Sequence, residues 1–456
     1  MRIVDTALER WNALAPDSLY RRHAMAFFWS LAGSAASQGC YLVASIIAGR
    51  LLGREGFGEF GIINSTIGTF GIFAGLGLGM LATKYVAELR SGDRARAGRI
   101  IGFSTLVALA WGGGFAILLA SFSPSLAARI LNAAHLAPEL RVSGLLLLVN
   151  AVNGALTGAL LGLEGFRSAA IMNATIGLCL IPFTFTGVRM WGLLGAVWAS
   201  VAANAGGTVA GRILLAGECR RAGIGVRYSV RSEECRLLWT FSLPAVMSSA
   251  MVAPMNWITN TILVNQPNGY AEMGLFTAAN QWRNAIVFLP GVLAQVALPI
   301  LSSVYGHGRE LKRYQQTLRL NLAVTVACAF AVSVPVCLLA PAIMRFYGRS
   351  FAGGSTVLAM LAIVALLMAA NNVIGSAIIS SGAIWYGLLF NALWAGALLL
   401  LATILVPRYL ALGVAGALLL AYLGHTVWQS VYLAFALRKS AAAVPDARFA
   451  AEGVAE

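Results

Sequence analysis

The sequence predicts an all-α polytopic membrane protein: twelve transmembrane helices in two parallel-repeat six-helix lobes around a central cavity, with the N- and C-termini cytoplasmic. Three observations carry that expectation. Of 456 residues, 59% are hydrophobic and only 11% charged, where a soluble domain averages roughly 25% charged residues; the mean hydropathy is +0.79. Charge-free stretches of about 20 residues, each long enough to cross a bilayer as a helix, recur along the whole chain. The two halves also repeat one another.

In chain order the expected spans lie at about 25–48, 60–83, 100–121, 142–162, 169–188, 192–215, 237–264, 274–300, 319–340, 355–380, 387–406 and 413–437. The first 24 residues hold no apolar core followed by a small-residue cleavage site, so no removable signal peptide is expected. Val4, Leu8, Trp11 and Leu14 share one helical face with Arg10 away from it. That pattern fits a short amphipathic helix on the membrane surface or a disordered leader. The expected organisation is then a cytoplasmic N-terminal segment (1–24), an N-terminal lobe (25–215), a basic cytoplasmic linker (216–236), a C-terminal lobe (237–437) and a cytoplasmic tail (438–456).

Basic residues set the orientation. With the N-terminus inside, 23 of the 32 Lys and Arg fall in inner segments, 8 in outer loops, and Arg283 inside a span. The net charge of +15 is therefore dispersed over six short cytoplasmic segments. A nucleic-acid footprint would gather it on one face, so no nucleic-acid partner is expected. Cys40, Cys179, Cys328 and Cys337 lie in spans, while Cys219 and Cys235 lie in the linker. No external disulfide, metal-binding spacing or cofactor follows from them.

The internal repeat rests on three pairs. Gly58-x-Phe60-x-x-x-Asn64 matches Gly274-x-Phe276-x-x-x-Asn280 at an offset of 216 residues. Asn150-x-x-x-Gly154 matches Asn371-x-x-x-Gly375, and Gly192-Leu-Leu-Gly-Ala196 matches Gly413-Val-Ala-Gly-Ala417, both at 221. Each pair lies six spans apart, an even number, so the halves run the same way through the membrane.

Polar stripes nominate the cavity helices. The first span carries Ser34, Gln38, Tyr41 and Ser45 at helical spacing; the seventh carries Ser242, Ser249, Asn256 and Asn260, with Pro244 and Pro254 expected to bend it. The eighth adds Thr277, Asn280, Gln281, Asn284 and Gln295. Scattered serines read as helix–helix glue, whereas the Asn/Gln stripes read as the wall of a hydrated cavity.

The stretches "AGRLLGREGFGEFG" after the first span, "GLFTAANQWRNAIVFLPGVLAQVALPILSS" through the eighth, "PAIMRFYGRSFAGG" after the ninth and "VPRYLALGVAGA" into the twelfth resemble the polysaccharide-transporter branch of the MOP superfamily, which includes Wzx-type O-antigen flippases. The resemblance spans about residues 25–437. It implies two six-helix lobes around a cavity, and flipping of undecaprenyl-diphosphate-linked oligosaccharide from the cytoplasmic to the periplasmic leaflet of a bacterial inner membrane. It further implies a role in O-antigen, capsule or exopolysaccharide synthesis beside glycosyltransferases and a polymerase. The residues help choose the branch. Cation and drug antiporters of the superfamily rely on membrane-embedded carboxylates, and all seventeen acidic residues here lie in loops or termini. Lipid II flippases usually carry fourteen spans, and no two further spans are expected after about 437.

Other classes weigh less. "SGDRARAGR" at 91–99 is similar to the signature of major-facilitator carriers, but its glycine stands directly before Asp93 and three residues part Arg94 from Gly98. A multidrug or small-solute transporter is the alternative reading. A polysaccharide polymerase or ligase needs an external acid–base loop, and the longest, about 122–141, offers only Arg129, His135, Glu139 and Arg141. His425 is the titratable group near neutral pH within a span, either a structural histidine or a proton-coupling site. Arg283 sits about nine residues into the eighth span, roughly 14 Å deep. An arginine there costs about 2.5–3.5 kcal/mol on insertion scales, and it either snorkels or meets a transient anion. The superfamily resemblance favours the anion: Arg283 would bind the substrate diphosphate, with Arg50 and Arg54 as weaker candidates near the outer mouth.

Overall fold

The computed structural model describes residues 19–243, 246–247, 251–306 and 311–442. The proposed N-terminal surface helix, Pro244, Ser249 and most of the tail therefore lie outside the described residues. Among the described residues all regular structure is helical. Seven stretches are long and apolar enough to cross a membrane, so the chain is a multi-pass membrane protein.

The chain divides into two compact units, at residues 253 and 254. In the first, α1 (Leu19–Gly75) leads to α2 (Leu78–Leu89), α3 (Arg94–Ser125), α4 (Ala137–Gly162) and α5 (Phe166–Ala222). The short α6 (Ser232–Leu237) follows, and α7 (Val252–Val264) crosses the division. The second unit continues with α8 (Gly269–Gly306), α9 (Leu311–Leu338), α10 (Ala340–Tyr347), α11 (Ser355–Ser380) and α12 (Ile384–Ala442).

At 1.5 Å per residue the 57 residues of α5 would run about 85 Å, nearly three times a bilayer's hydrocarbon core. They do not run straight. The helix breaks at Trp191–Gly192, where Gly192 takes φ 56°. A Cβ built on Gly195 would stand 1.8 Å from the carbonyl oxygen of Gly187. Eight residues along a straight helix are about 12 Å apart, so the chain doubles back here with the two glycine backbones in contact. The same device recurs in α12: Leu410 takes φ 50°, and a Cβ on Gly413 would lie 2.3 Å from the Leu405 carbonyl oxygen. In α1, Gly53 at φ 72° redirects the chain.

These joints are shorter than the sequence suggested, because one or two left-handed residues replace a loop. Other departures have local causes. The expected 60–83 span is interrupted at Leu76 and Gly77, both with positive φ. The expected 237–264 span is a chain of pieces: α6, a π-helical turn at Leu238–Ser242, and α7. Pro254 sits in the first turn of α7, where proline is tolerated. The 122–141 loop is mostly helical turns, Leu126–Ile130 and Ala134–Leu136.

Each unit is organised on one central helix. In the first, α4 packs against α1, α2, α3 and α5; in the second, α11 packs against α8, α9 and α12. These two helices carry the matching Asn150-x-x-x-Gly154 and Asn371-x-x-x-Gly375. Small residues let α4 take its neighbours at backbone contact. A Cβ on Gly158 would lie 2.1 Å from the Gly79 carbonyl oxygen. Leu78, Leu81 and Val86 of α2 then interlock with Leu156 and Leu160 of α4 and Ile100 of α3. In the second unit Tyr314, Val373, Ile374, Ile378, Phe390 and Leu433 make the corresponding packed layer.

The "SGDRARAGR" stretch is structural. Asp93 caps α3, its carboxylate accepting from Arg96 N–H at 2.8 Å. Gly98 and Gly102 admit the segment after α5 at backbone contact, and Arg227 N–H donates to the Gly98 carbonyl at 3.2 Å. Arg99 Nε donates to the buried Glu234 at 3.2 Å, closing the same junction.

Candidate functional site

Arg283 lies on α8, fourteen residues after its first residue Gly269, which is about 21 Å along the helix. It is buried, with 9% of its surface exposed. Among the described residues no carboxylate pairs with it, and its Nε has no hydrogen-bond partner. Tyr422 of α12 is within electrostatic range. Its ring lies 5.2 Å from Trp394 and 6.4 Å from His425, and His425 lies 5.9 Å from Trp428.

Arg283 is not alone in lacking partners. Of sixteen buried side-chain polar atoms without one among the described residues, ten lie on α8, α11 and α12. They belong to Thr277, Asn280, Trp282, Arg283, Asn371, Trp394, His425, Trp428 and Gln429. An orphaned buried polar group costs about 1–3 kcal/mol, and more when charged. Folded proteins carry few of them, so ten on three helices packed together mark a place built for water or a polar ligand. Donors prevail: a guanidinium and three indoles. That polarity suits an anion.

The acidic residues of the described chain gather at helix ends and joints. Glu55 and Glu59 lie within six residues of the Gly53 joint, Glu88 and Glu218 in the last turns of α2 and α5, and Glu139 and Glu272 in the first turns of α4 and α8. Glu164 takes a positive φ between α4 and α5 and pairs with Arg90.

The remaining nominated residues separate by position. Asn280, one turn before Arg283, and Gln281 are half-buried, and Asn280 Oδ1 is buried without a partner among the described residues. Asn284 is exposed, because one residue turns the helix by about 100°. Asn260 is buried and Asn256 half-buried on α7. On α1, Gln38 is half-buried, and Tyr41 and Arg50 are exposed. His425 is buried, and its Nδ1 is unpartnered among the described residues.

Tyr41 lines a separate cavity of about 670 Å³ in the first unit, together with Lys84, Asn150, Asn153, Asn173 and Asn204. The stripe analysis did not nominate those four asparagines or the lysine. Their signal was available only as an excess of asparagine in apolar helices, one or two per helix.

A family model described as polysaccharide biosynthesis protein matches residues 25–305. The EPS I polysaccharide export inner membrane protein EpsE of Ralstonia nicotianae is 26% identical over 356 residues, 78% of this chain and 80% of that one. Its counterpart from Ralstonia solanacearum is 27% identical over 360 residues, with the same coverage. Among solved structures, an inward-facing multidrug resistance MATE family transporter of the MOP superfamily superposes with a TM-score of 0.75 at 16% identity, covering 90% of this chain and 99% of that one. A MOP superfamily transporter from Pyrococcus furiosus gives 0.66 at 16%, covering 92% and 96%. At these identities the structural likeness shows the fold.

Proposed function

The chain belongs to the polysaccharide biosynthesis protein family, and from that membership we propose that it flips undecaprenyl-diphosphate-linked oligosaccharide from the cytoplasmic to the periplasmic leaflet of a bacterial inner membrane. The observation that carries this reading is Arg283: a buried guanidinium without a carboxylate partner among the described residues, set among unsatisfied donors on α8 and α12. A guanidinium fork matches phosphate oxygens bidentately, and its attraction grows where water is scarce.

In this reading the long helices α1, α5 and α12 divide at their joints to give twelve spans, forming two six-helix lobes with both termini cytoplasmic. The lobes alternate access to a central cavity, and the lipid tail stays in the bilayer while the diphosphate engages Arg283. The lobes would span about 25–215 and 237–437, with the basic 216–236 linker facing anionic lipid on the cytoplasmic side. Glycosyltransferases that build the lipid-linked unit and a polymerase that extends it are the partners this reading implies. The two Ralstonia relatives, named as EPS I polysaccharide export inner membrane proteins, support an exported polysaccharide as the end product.

Deleting the gene tests this directly. The expected outcome is loss of surface polysaccharide with lipid-linked oligosaccharide accumulating in the cytoplasmic leaflet, measured by leaflet-selective labelling. Unchanged surface polysaccharide and an unchanged leaflet distribution would remove the proposal.

A further inference from the structure

The 670 Å³ cavity of the first unit is within the usual size range of small-ligand sites, about 300–1,000 Å³. It forms where α1, α2, α4 and α5 meet, beside the close crossing of α2 on α4. Thr83 of α2 donates to the Gly158 carbonyl at 3.1 Å and holds that crossing. Gly79 and Gly158 make that crossing at backbone contact, and the lining residue Gly154 has nothing within 4 Å of an added Cβ, so room remains beside it.

The polar lining is carboxamide and hydroxyl, and it divides into a fixed and an open part. Asn153 donates to the Asn204 carbonyl at 3.1 Å and accepts from Thr208 at 2.7 Å; Asn204 donates to the Ser200 carbonyl at 2.9 Å. These two amides are committed to the framework. Asn150 and Asn173 make no hydrogen bond among the described residues, so their donors and acceptors are open to a ligand. Tyr41 adds an exposed aromatic face. No carboxylate lines the cavity. Lys84, its Nζ 4.9 Å from the Phe241 ring centroid, sets a positive charge there that disfavours a cation.

We propose that this cavity is a saccharide-binding site, in which Asn150 and Asn173 pair with adjacent sugar hydroxyls and Tyr41 stacks on a pyranose face. Each carboxamide offers both a donor and an acceptor, which suits hydroxyls that do both. An aromatic face packs the apolar side of the ring. Helix glue accounts for Asn153 and Asn204, and it leaves Asn150 and Asn173 without a role. The proposal rests on the flippase reading only for the source of the sugar, the head group of the lipid-linked substrate.

The test uses purified full-length protein in nanodiscs. The probe is the oligosaccharide freed by mild acid from the host's lipid-linked pool, with binding read by saturation-transfer NMR. Asn150→Leu with Asn173→Leu should weaken binding by about tenfold or more, as expected for two lost hydrogen bonds of about 1 kcal/mol each. Tyr41→Ala should weaken it and Tyr41→Phe retain it, while Asn391→Leu, outside the cavity, should leave it unchanged. No binding by the wild-type chain, or equal binding by the wild-type, Asn150/Asn173 and Tyr41→Ala proteins, would overturn the site. Leaflet transfer without this binding removes the site and keeps the flippase; binding without transfer does the reverse.

Discussion

Arg283→Ala should insert and fold, yet reduce flipping of lipid-linked oligosaccharide to the background of an inactive strain. Two separable effects are expected. The guanidinium is buried with an unpartnered Nε, so removing it relieves a desolvated charge that stands about 2.5–3.5 kcal/mol unfavourable in insertion experiments. Thermal stability should therefore hold or rise. The diphosphate, meanwhile, loses its bidentate partner and must shed water without compensation. Arg283→Lys keeps the charge but presents a point ammonium in place of a planar fork, so it should restore only part of the activity. Surface polysaccharide and thermal stability, read at matched protein level, check both halves. Near wild-type surface polysaccharide in Arg283→Ala would contradict the assignment.

Gly195→Ala should destabilise the first unit severely, although the residue is far in sequence from every nominated site. The added methyl would stand 1.8 Å from the Gly187 carbonyl oxygen, well inside contact distance, and the obstacle is backbone rather than a movable side chain. Overpacking of this kind costs about 1–3 kcal/mol or more, which corresponds to a melting temperature lower by about 2–12 °C in a unit of this size. Gly206→Ala is the internal control. Nothing lies within 4 Å of its added Cβ, and alanine favours helix over glycine by about 0.8–1.0 kcal/mol, so it should be neutral or stabilising. Fluorescence-detected size exclusion after heating measures both, and equal melting temperatures would refute the packed glycine joint.

How much of this was readable beforehand follows from which physical scale each feature uses. All-helical membrane character depends on bulk composition, and 59% hydrophobic residues with acids confined to helix ends announce it. Arg283 was legible because one charge in an apolar stretch needs a reason wherever the neighbours lie. The form of the joints was not. A left-handed Leu410 or Leu76 carries no turn signature, since leucine adopts that conformation only when packing on both sides compels it. Gly187 and Gly195 stand out only once their backbones are seen in contact, because 49 glycines in the chain dilute any single one.

The sites follow the same division. A stripe on one helix is visible as periodicity, so Asn280 was nominated from it, and Arg283 from its charge in an apolar stretch. The first unit's cavity draws Tyr41 from α1, Lys84 from α2, Asn150 from α4, and Asn173 and Asn204 from α5. No single helix carries a pattern there, and only tertiary packing assembles it. The second unit's cluster likewise adds Asn371, Trp394, Trp428 and Gln429 from helices that had no nominated cavity stripe. Asn284 shows the opposite case: adjacent to Arg283 in sequence, it is exposed where Arg283 is buried.

Leaflet transfer in a defined membrane tests the central claim most directly. Proteoliposomes containing the purified chain and undecaprenyl-diphosphate-linked oligosaccharide in both leaflets are exposed to a membrane-impermeant oxidant of sugars. With the wild-type chain, the inner-leaflet pool should become oxidised as it reaches the outer surface, whereas empty liposomes and the Arg283→Ala protein should leave it protected. An inner-leaflet pool that stays protected with correctly folded wild-type protein would contradict the assignment of this chain as a flippase.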